Sequence, residues 1–319
     1  MTIKNLMDVL KHPSDAVKAS KLWWEYDGLI IDEDYQKAIP IIRKYLETCP
    51  ENDGAWSDLG YAYSGLDRDG EAILAYDKAI KISPEESEHW FDKADSLHDL
   101  EKFEEAIVAY KQAIKLDPKD AESWNNLGDI YWHLKKYAKA LGAFEKSLKI
   151  DPDDPDLWAN KATLLQDLKQ NKKSLSAIKK AIELDPDFST NFAIKSLGHL
   201  KLNQVNEALE AASTAISLDR YDDMGYFAKS NALHMQGKDT EALKNINKAL
   251  KSSPDEAEYW FLKAGILASM NEEDDAIDSL IVFTSLLPSD WERILLDNRD
   301  FEKFRNSERF QKLLSKVSY

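Results

Sequence analysis

Proline recurs along this chain at a fixed interval of 34 residues. Counted from Pro50, six of the next seven positions at this interval are proline, and Arg220 replaces the remaining one. With 10 prolines in 319 residues, chance would place about a quarter of one proline on these positions. A period of this length is typical of repeat proteins, in which each unit packs against its neighbours. The sequence therefore predicts an array of equivalent units.

Other residue types keep the same interval. Alanine stands twelve residues before the boundary position, and only Ser174 breaks that series. The eighth position of each unit is small, as in Gly60 and Gly128, which would let two helices approach closely. Because proline cannot continue a helix interior, each unit is predicted to be two helices with short turns. The alanines are Ala38, Ala72, Ala106, Ala140, Ala208, Ala242 and Ala276, and the fourth-position aromatics are Trp56, Trp90, Trp124, Trp158, Phe192, Tyr226 and Trp260.

This spacing resembles the tetratricopeptide repeat (TPR) family. The resemblance implies an all-α fold, a right-handed α-solenoid of about eight TPR helix-turn-helix units with N- and C-terminal capping helices. The predicted boundaries are 1–18 for the N-terminal capping helix, 19–52 for a degenerate first unit, then 53–86, 87–120, 121–154, 155–188, 189–222, 223–256 and 257–290, and 291–319 for the C-terminal capping helices. The family resemblance also implies a protein-protein interaction scaffold that binds a partner segment in the concave groove of a superhelix.

The composition limits the classes of partner and the cellular location that we expect. The net charge is −16 and the isoelectric point about 4.9, which argues against nucleic acid and anionic membranes as partners. The one cysteine, Cys49, excludes an internal disulfide. The sequence shows neither a signal peptide nor an apolar run as long as a membrane span, so we expect a cytoplasmic protein.

Catalytic and metal-binding patterns are missing from the sequence. The six histidines form neither an HExxH motif nor a cluster at metal-ligand spacing, and no phosphate-binding loop is present. His98, His133 and His234 come from different units, so a shared metal would require them to meet across large separations. We therefore expect no enzyme activity, no cofactor and no metal.

The resemblance also indicates which residues would line the groove. In related arrays these are the second, fifth, sixth, ninth, twelfth and thirteenth positions of each first helix. Trp132 is either an aromatic anchor or a residue that packs on a neighbouring helix. The aspartates and asparagines predict a partner segment with lysine or arginine beside an apolar residue. The candidate groove residues are Tyr61, Phe91, Asp95, Asp99, Asn125, Asn126, Asp129, Trp132, His133, Asn160, Asp167, Phe227, Asn231 and Phe261, together with His98, Thr163, Gln166 and His234.

Two other roles remain open at the level of sequence. The chain could self-assemble through its terminal repeats, or it could be a non-catalytic regulatory subunit of an enzyme complex. Trp23 and Trp24 either close the stack or form a dimer face, and we favour closure and a monomer over a homodimer. Binding of a chaperone C-terminal carboxylate is not expected, because the corresponding positions lack cations and carry aspartates such as Asp92.

Overall fold

A computed structural model describes residues 13–287, 294–296 and 298–315, and their regular structure is entirely helical. The predicted all-α class of packed helix pairs is therefore confirmed. The chain divides into two compact units, unit 1 (Met1–Pro152) and unit 2 (Asp153–Tyr319). Residues 1–12 of the predicted N-terminal capping helix and residues 291–293, 297 and 316–319 of the predicted C-terminal capping helices lie outside the described residues.

Both units are series of helices of similar length in which consecutive helices pack together. The first helix, α1, continues through residue 18, where the predicted capping helix would end. Unit 1 contains α1 (Pro13–Ile31), α2 (Tyr35–Thr48), α3 (Asp53–Ser64), α4 (Asp69–Ile82), α5 (Ser87–Asp99), α6 (Phe103–Leu116), α7 (Ala121–His133) and α8 (Tyr137–Ile150). Unit 2 contains α9 (Pro155–Asp167), α10 (Asn171–Leu184), α11 (Ser189–Leu200), α12 (Val205–Leu218), α13 (Asp223–Met235), α14 (Asp239–Ser252), α15 (Ala257–Ser269), α16 (Glu273–Leu286), a 3-10 helix (Arg299–Phe304) and α17 (Glu308–Ser315).

The small residue at the eighth position allows close packing within each helix pair. A Cβ atom on Gly60 would lie 2.6 Å from the ring of Tyr76, and one on Gly128 would lie 2.7 Å from the ring of Phe144. Both rings are almost fully buried. These two glycines are therefore required by the packing of the second helix onto the first.

Serine at the same position adds a hydrogen bond to that contact. The Ser196 hydroxyl donates to the Ala208 carbonyl oxygen, and the Ser230 hydroxyl donates to the Ala242 carbonyl oxygen, each at 2.8 Å. Both serines are fully buried. The pairing satisfies a polar group that would otherwise be costly to bury.

The turn inside each helix pair contains one residue with left-handed backbone geometry. These residues recur every 34 positions with φ between 55° and 72°, and only one of them is glycine. Each follows the end of a first helix, where a left-handed residue typically ends the helix. The eight residues are Glu33, Asp67, Glu101, Lys135, Lys169, Asn203, Gly237 and Asn271.

This turn geometry gives opposite expectations for two kinds of substitution. Lys169→Gly should raise the free energy of unfolding by up to about 1 kcal/mol, because glycine adopts positive φ without the Cβ penalty. Gly237→Ala should lower it by about 1 kcal/mol, although no side chain lies within 4 Å of the added Cβ. Chemical denaturation of the two variants and the wild type measures both effects. Equal stability of Gly237→Ala and wild type would contradict the assignment.

The fourth-position tryptophans connect each first helix to the turn before it. The indole nitrogens of Trp56, Trp90 and Trp260 donate to the carbonyl oxygen of the boundary proline six residues earlier, at 2.8, 3.0 and 2.7 Å. The three side chains are half-buried. Their role therefore includes fixing the interval between pairs, in addition to apolar contact.

Unit 2 ends with apolar side chains packed onto its last helix pair. Phe301 and Phe310 are fully buried in a cluster with Leu280 and Phe283 of α16. The ring of Phe301 also meets Phe261 of α15 edge-on, with centroids 5.6 Å apart. The C-terminal segment thus covers the apolar surface of α15 and α16.

In the part of the chain that the structure describes, no helix combines the length and the apolar character needed to cross a bilayer.

Candidate binding surfaces on the first helices

Unit 1 carries a row of carboxylates on its first helices α3, α5 and α7, and we call this row the acidic face. It consists of Asp58, Asp92, Asp95, Asp99 and Asp129. Asp99 is exposed and the other four side chains are half-buried. The predicted site contained Asp95, Asp99 and Asp129 but omitted Asp58 and Asp92, although both stand at the sixth position that defines the groove.

Three members of the acidic face accept hydrogen bonds from uncharged groups, among them Asp58 from the Tyr26 hydroxyl. Asp92 accepts from the Ser57 hydroxyl at 3.1 Å, and Asp95 accepts from the Tyr110 hydroxyl and, at 3.1 Å, from the Asn126 amide. No lysine, arginine or histidine forms an ion pair with Asp92 or Asp95 within the described residues. Their negative charge is therefore solvated by dipoles and not neutralised by a cation.

Burial shifts the titration of these carboxyl groups. It raises the pKa of Asp92 from its ordinary value near 4 to about 7, and it raises the pKa values of Asp58 and Asp95 to about 6. Hydrogen bonds from Ser57 to Asp92 and from Tyr110 to Asp95 act in the opposite direction but do not compensate. Clusters of groups with shifted pKa values are more common at functional surfaces than elsewhere.

His98 and His133 meet around Asp129, which corrects the expectation that histidines of different units lie far apart. Their Nε2 atoms are 3.6 and 3.9 Å from an Asp129 carboxylate oxygen, and the two rings are 6.5 Å apart. Phe103 stacks on His133 with centroids 5.7 Å apart. Among the described residues, no group of three or more His, Cys, Asp or Glu side chains is arranged to hold a metal ion.

The predicted aromatic and amide residues of unit 1 flank the acidic face. Trp132 is half-buried and meets Phe144 of its own helix pair edge-on, with centroids 6.5 Å apart. Phe91 is half-buried against Tyr110 at 6.0 Å, and 49 % of Tyr61 is exposed. The other predicted residues here, Asn125 and Asn126, are half-buried and adjacent, with a 3.4 Å contact between their amides.

In unit 2, the predicted residues on α9 fall into two groups, according to whether their side chains donate hydrogen bonds to backbone carbonyls of the helices. Asn160 is half-buried and Asp167 is exposed. The Thr163 hydroxyl donates to the carbonyl four residues earlier at 3.0 Å, and the Gln166 amide donates to a carbonyl of α11 at 2.9 Å. Thr163 and Gln166 therefore serve the helices themselves, which the sequence prediction did not anticipate.

Phe227, Asn231 and Phe261 line one cavity of about 560 Å³ in unit 2, together with His234. Phe227 was predicted as a groove residue, but it is only 8 % exposed and stacks on Tyr259 with centroids 4.7 Å apart. It therefore belongs to the wall of the cavity and is not a projecting contact. The Asp239 carboxylate accepts a hydrogen bond from the His234 Nδ1–H group at 2.6 Å.

A second cavity, of about 450 Å³, was missed by the sequence analysis. It lies in unit 1 among α2, α3 and α4, and Leu46, Trp56 and Leu74 supply apolar walls. Leu74 is 65 % exposed on α4. Leu74, an apolar residue of α4 outside the spacing of its buried residues, was the available signal, but single exposed apolar residues are common on protein surfaces.

Comparison with known families decides the classification. Tetratricopeptide repeat profiles match residues 54–86, 91–155, 133–194 and 227–281. The chain belongs to the tetratricopeptide repeat family. TPR proteins are in general non-catalytic scaffolds, and these repeats support a role in protein-protein interaction. No curated protein sequence matched the chain.

Solved TPR structures share the fold at low sequence identity. A tetratricopeptide repeat protein from Parabacteroides merdae gives a TM-score of 0.67 at 16 % identity, covering 82 % of this chain and 97 % of its own. The APC/C hetero-tetramer Cut9-Hcn1 gives 0.62 at 18 %, covering 76 % of this chain and 48 % of that one, so this chain spans about half of that protein. The type IV pilus biogenesis factor PilW gives 0.55 at 20 %, covering 72 % and 98 %. At these identities the likeness shows the fold alone.

Proposed function

We propose that this TPR protein is an interaction scaffold whose acidic face holds a partner segment with lysine or arginine beside an apolar residue. One observation carries the proposal. Asp92 and Asp95 are half-buried carboxylates that lie next to each other in the field of further acids and have no cationic partner within the described residues. A cation from a partner would supply the missing charge.

The energetics favour such a partner over a neutral one. A partly buried carboxylate without a counter-charge is destabilised by desolvation. An ammonium or guanidinium group can form charge-assisted hydrogen bonds with it, which are about twice as strong as neutral ones. The binding energy would thus come partly from relieving a cost that the free chain already bears.

Apolar and amide groups beside the carboxylates suit the rest of a peptide. Phe91 and Trp132 offer aromatic surface, and Asn125 offers an amide that can bond a peptide backbone. This combination favours a lysine or arginine that is adjacent to a large apolar residue. A segment with cations alone would leave the aromatic surface uncovered.

Selection from a random peptide library tests the proposal. Peptides that bind the wild-type chain should be enriched in lysine or arginine next to a large apolar residue. Asp92→Asn and Asp95→Asn should each weaken their binding by about 1 kcal/mol, and the loss should shrink in high salt. The control Asp67→Asn removes the same charge from an exposed turn and should leave binding unchanged. Enrichment of acidic or purely apolar peptides, or equal weakening by Asp67→Asn, would reject the proposal.

A further inference from the structure

Gly265 differs from the packing glycines because no part of the fold requires it. It stands at the ninth position, in the interior of α15, next to the small eighth-position residue Ala264. A Cβ on Gly265 would meet only an Asp300 carboxylate oxygen, at an ordinary contact distance of 3.5 Å. Gly60 and Gly128, by contrast, have an aromatic ring in that space. Glycine inside a helix is unfavourable relative to alanine, so the fold alone does not account for this residue.

The space that a side chain at Gly265 would occupy is part of the cavity of unit 2. Gly265 lines this cavity together with the rings of Phe227, Phe261 and Phe283. Asp300, from the 3-10 helix, also lines the cavity, close to Gly265. The volume of about 560 Å³ is in the range of ligand pockets and is enough for one large side chain with its backbone. A residue with a longer side chain at this position would fill part of that space.

The polar groups of the cavity indicate which apolar side chain it would receive. The carboxylates of Glu258 and Asp300 are exposed, and neither forms an ion pair within the described residues. Lys201 is the one lysine or arginine among the lining residues that the structure describes, against the two carboxylates of Glu258 and Asp300. Asn231 adds an amide that can donate to a peptide carbonyl and accept from a peptide N–H.

We propose that this cavity binds one large apolar side chain of a partner peptide, with an adjacent lysine or arginine held by Glu258 and Asp300. The inference rests on the proposed function only in taking a peptide as the occupant. It adds a second site, in unit 2, that uses none of the residues of the acidic face. The three phenylalanine rings contact the apolar side chain, and the absent side chain at Gly265 leaves room for it.

Nuclear magnetic resonance of the full chain can test the cavity with a defined probe. The probe is the capped tetrapeptide Ac-Gly-Phe-Lys-Gly-NH2, with Ac-Gly-Ala-Lys-Gly-NH2 and Ac-Gly-Phe-Gln-Gly-NH2 as matched controls. We expect the probe to shift the signals of the Gly265 backbone amide and the Asn231 side-chain amide in a saturable manner. The alanine control should bind about tenfold more weakly or worse, and the glutamine control should bind more weakly than the probe.

Substitutions of Gly265 distinguish an effect on the cavity from an effect on folding. Gly265→Leu should abolish the shift of the Asn231 signal while the chain keeps its helical content. Gly265→Ala should raise the melting temperature and weaken binding of the probe. If the leucine variant does not fold, the alanine variant alone tests the inference. Undiminished binding to Gly265→Ala and Gly265→Leu, a lower melting temperature of Gly265→Ala, or no saturable shift in the wild type would overturn the inference.

The acidic face supplies the remaining control. The double variant Asp92→Asn, Asp95→Asn should bind the probe in the cavity as the wild type does. If this variant and the wild type both lack lysine-dependent binding in unit 1 but still show the Asn231 shift, the proposed function fails and this inference stands. If the shift is absent while unit 1 selects basic-apolar peptides, this inference fails and the proposed function stands.

Discussion

Asp92→Asn is expected to raise the melting temperature of the chain by several degrees at about pH 8 and by little at about pH 5. The reason is that the pKa of Asp92 is raised to about 7 in the folded chain, well above its value in an unfolded one. Between these two values the folded state binds more protons, so the free energy of unfolding falls as the pH rises. About three pKa units correspond to about 4 kcal/mol. Because Asp92 is only half-buried, solvent screening reduces the expected cost above pH 7 to about 2 kcal/mol, and asparagine removes it.

The groups around Asp92 account for its raised pKa. Burial is the main cause of the raised pKa, and the charges of Glu88 and Asp95 add to it. The Ser57 hydroxyl and His89 act against it. Thermal unfolding of wild type, Asp92→Asn and the control Asp67→Asn at the two pH values measures the effect. A gain for Asp92→Asn that is the same at both pH values, or one shared by Asp67→Asn, would contradict this explanation.

Trp132→Ala is expected to weaken binding of a basic-apolar peptide by about 2 kcal/mol, roughly thirtyfold. Trp132 is a second large aromatic in a repeat that already has Trp124 at its fourth position. Its side chain is half-buried against Phe144, so one face packs on the helix pair and the remainder can contact a partner. Fluorescence anisotropy with a labelled library-selected peptide gives the affinity.

The contact with Phe144 means that truncation also costs stability, so folding must be measured beside binding. Trp132→Phe keeps an aromatic ring against Phe144 and should restore most of the stability but only part of the affinity. If Trp132→Ala remains folded and binds the peptide as the wild type does, Trp132 is a packing residue and the anchor assignment is wrong.

The helix pairs could be predicted from the sequence because the residues that define them are chemically constrained. Only a small residue fits at Gly60 or Gly128, where a ring of the second helix occupies the adjacent space. The left-handed turn could not be predicted in the same way. Its conformation is imposed by the two helices that it joins, so residues such as Glu33 and Lys169 adopt it, although most of the eight are not the glycine or asparagine that typically signals it.

The binding surfaces were predicted in part, for an equally physical reason. Helical positions showed that Asp95, Asn126 and Asp129 share one side of the first helices. They could not show the burial that raises the pKa of Asp95, because burial depends on how closely neighbouring repeats pack. Likewise, the sequence places Gly265 one position after the small eighth-position residue, but only the atoms around Gly128 and Gly265 distinguish a packing glycine from one that lines a cavity.

The acidic face links stability and binding in opposite directions. Raising the pH from about 5 to about 8 ionises Asp58, Asp92 and Asp95, which lowers the stability of the free chain. The same change should strengthen binding of a lysine or arginine, because the cation prefers the ionised carboxylates. A surface kept at a cost to stability is typical of functional sites.

Proton release on binding tests the central claim most directly. A partner cation would lower the pKa values of Asp92 and Asp95, so each carboxyl group that is protonated in the free chain should lose its proton when the peptide binds. Calorimetric titration at about pH 6.5, repeated in buffers with different ionisation enthalpies, counts the protons released. We expect net proton release for the wild type and for Asp67→Asn, and weaker binding with little release for the double variant Asp92→Asn, Asp95→Asn. Equal affinity in all three chains with no buffer dependence would contradict this expectation.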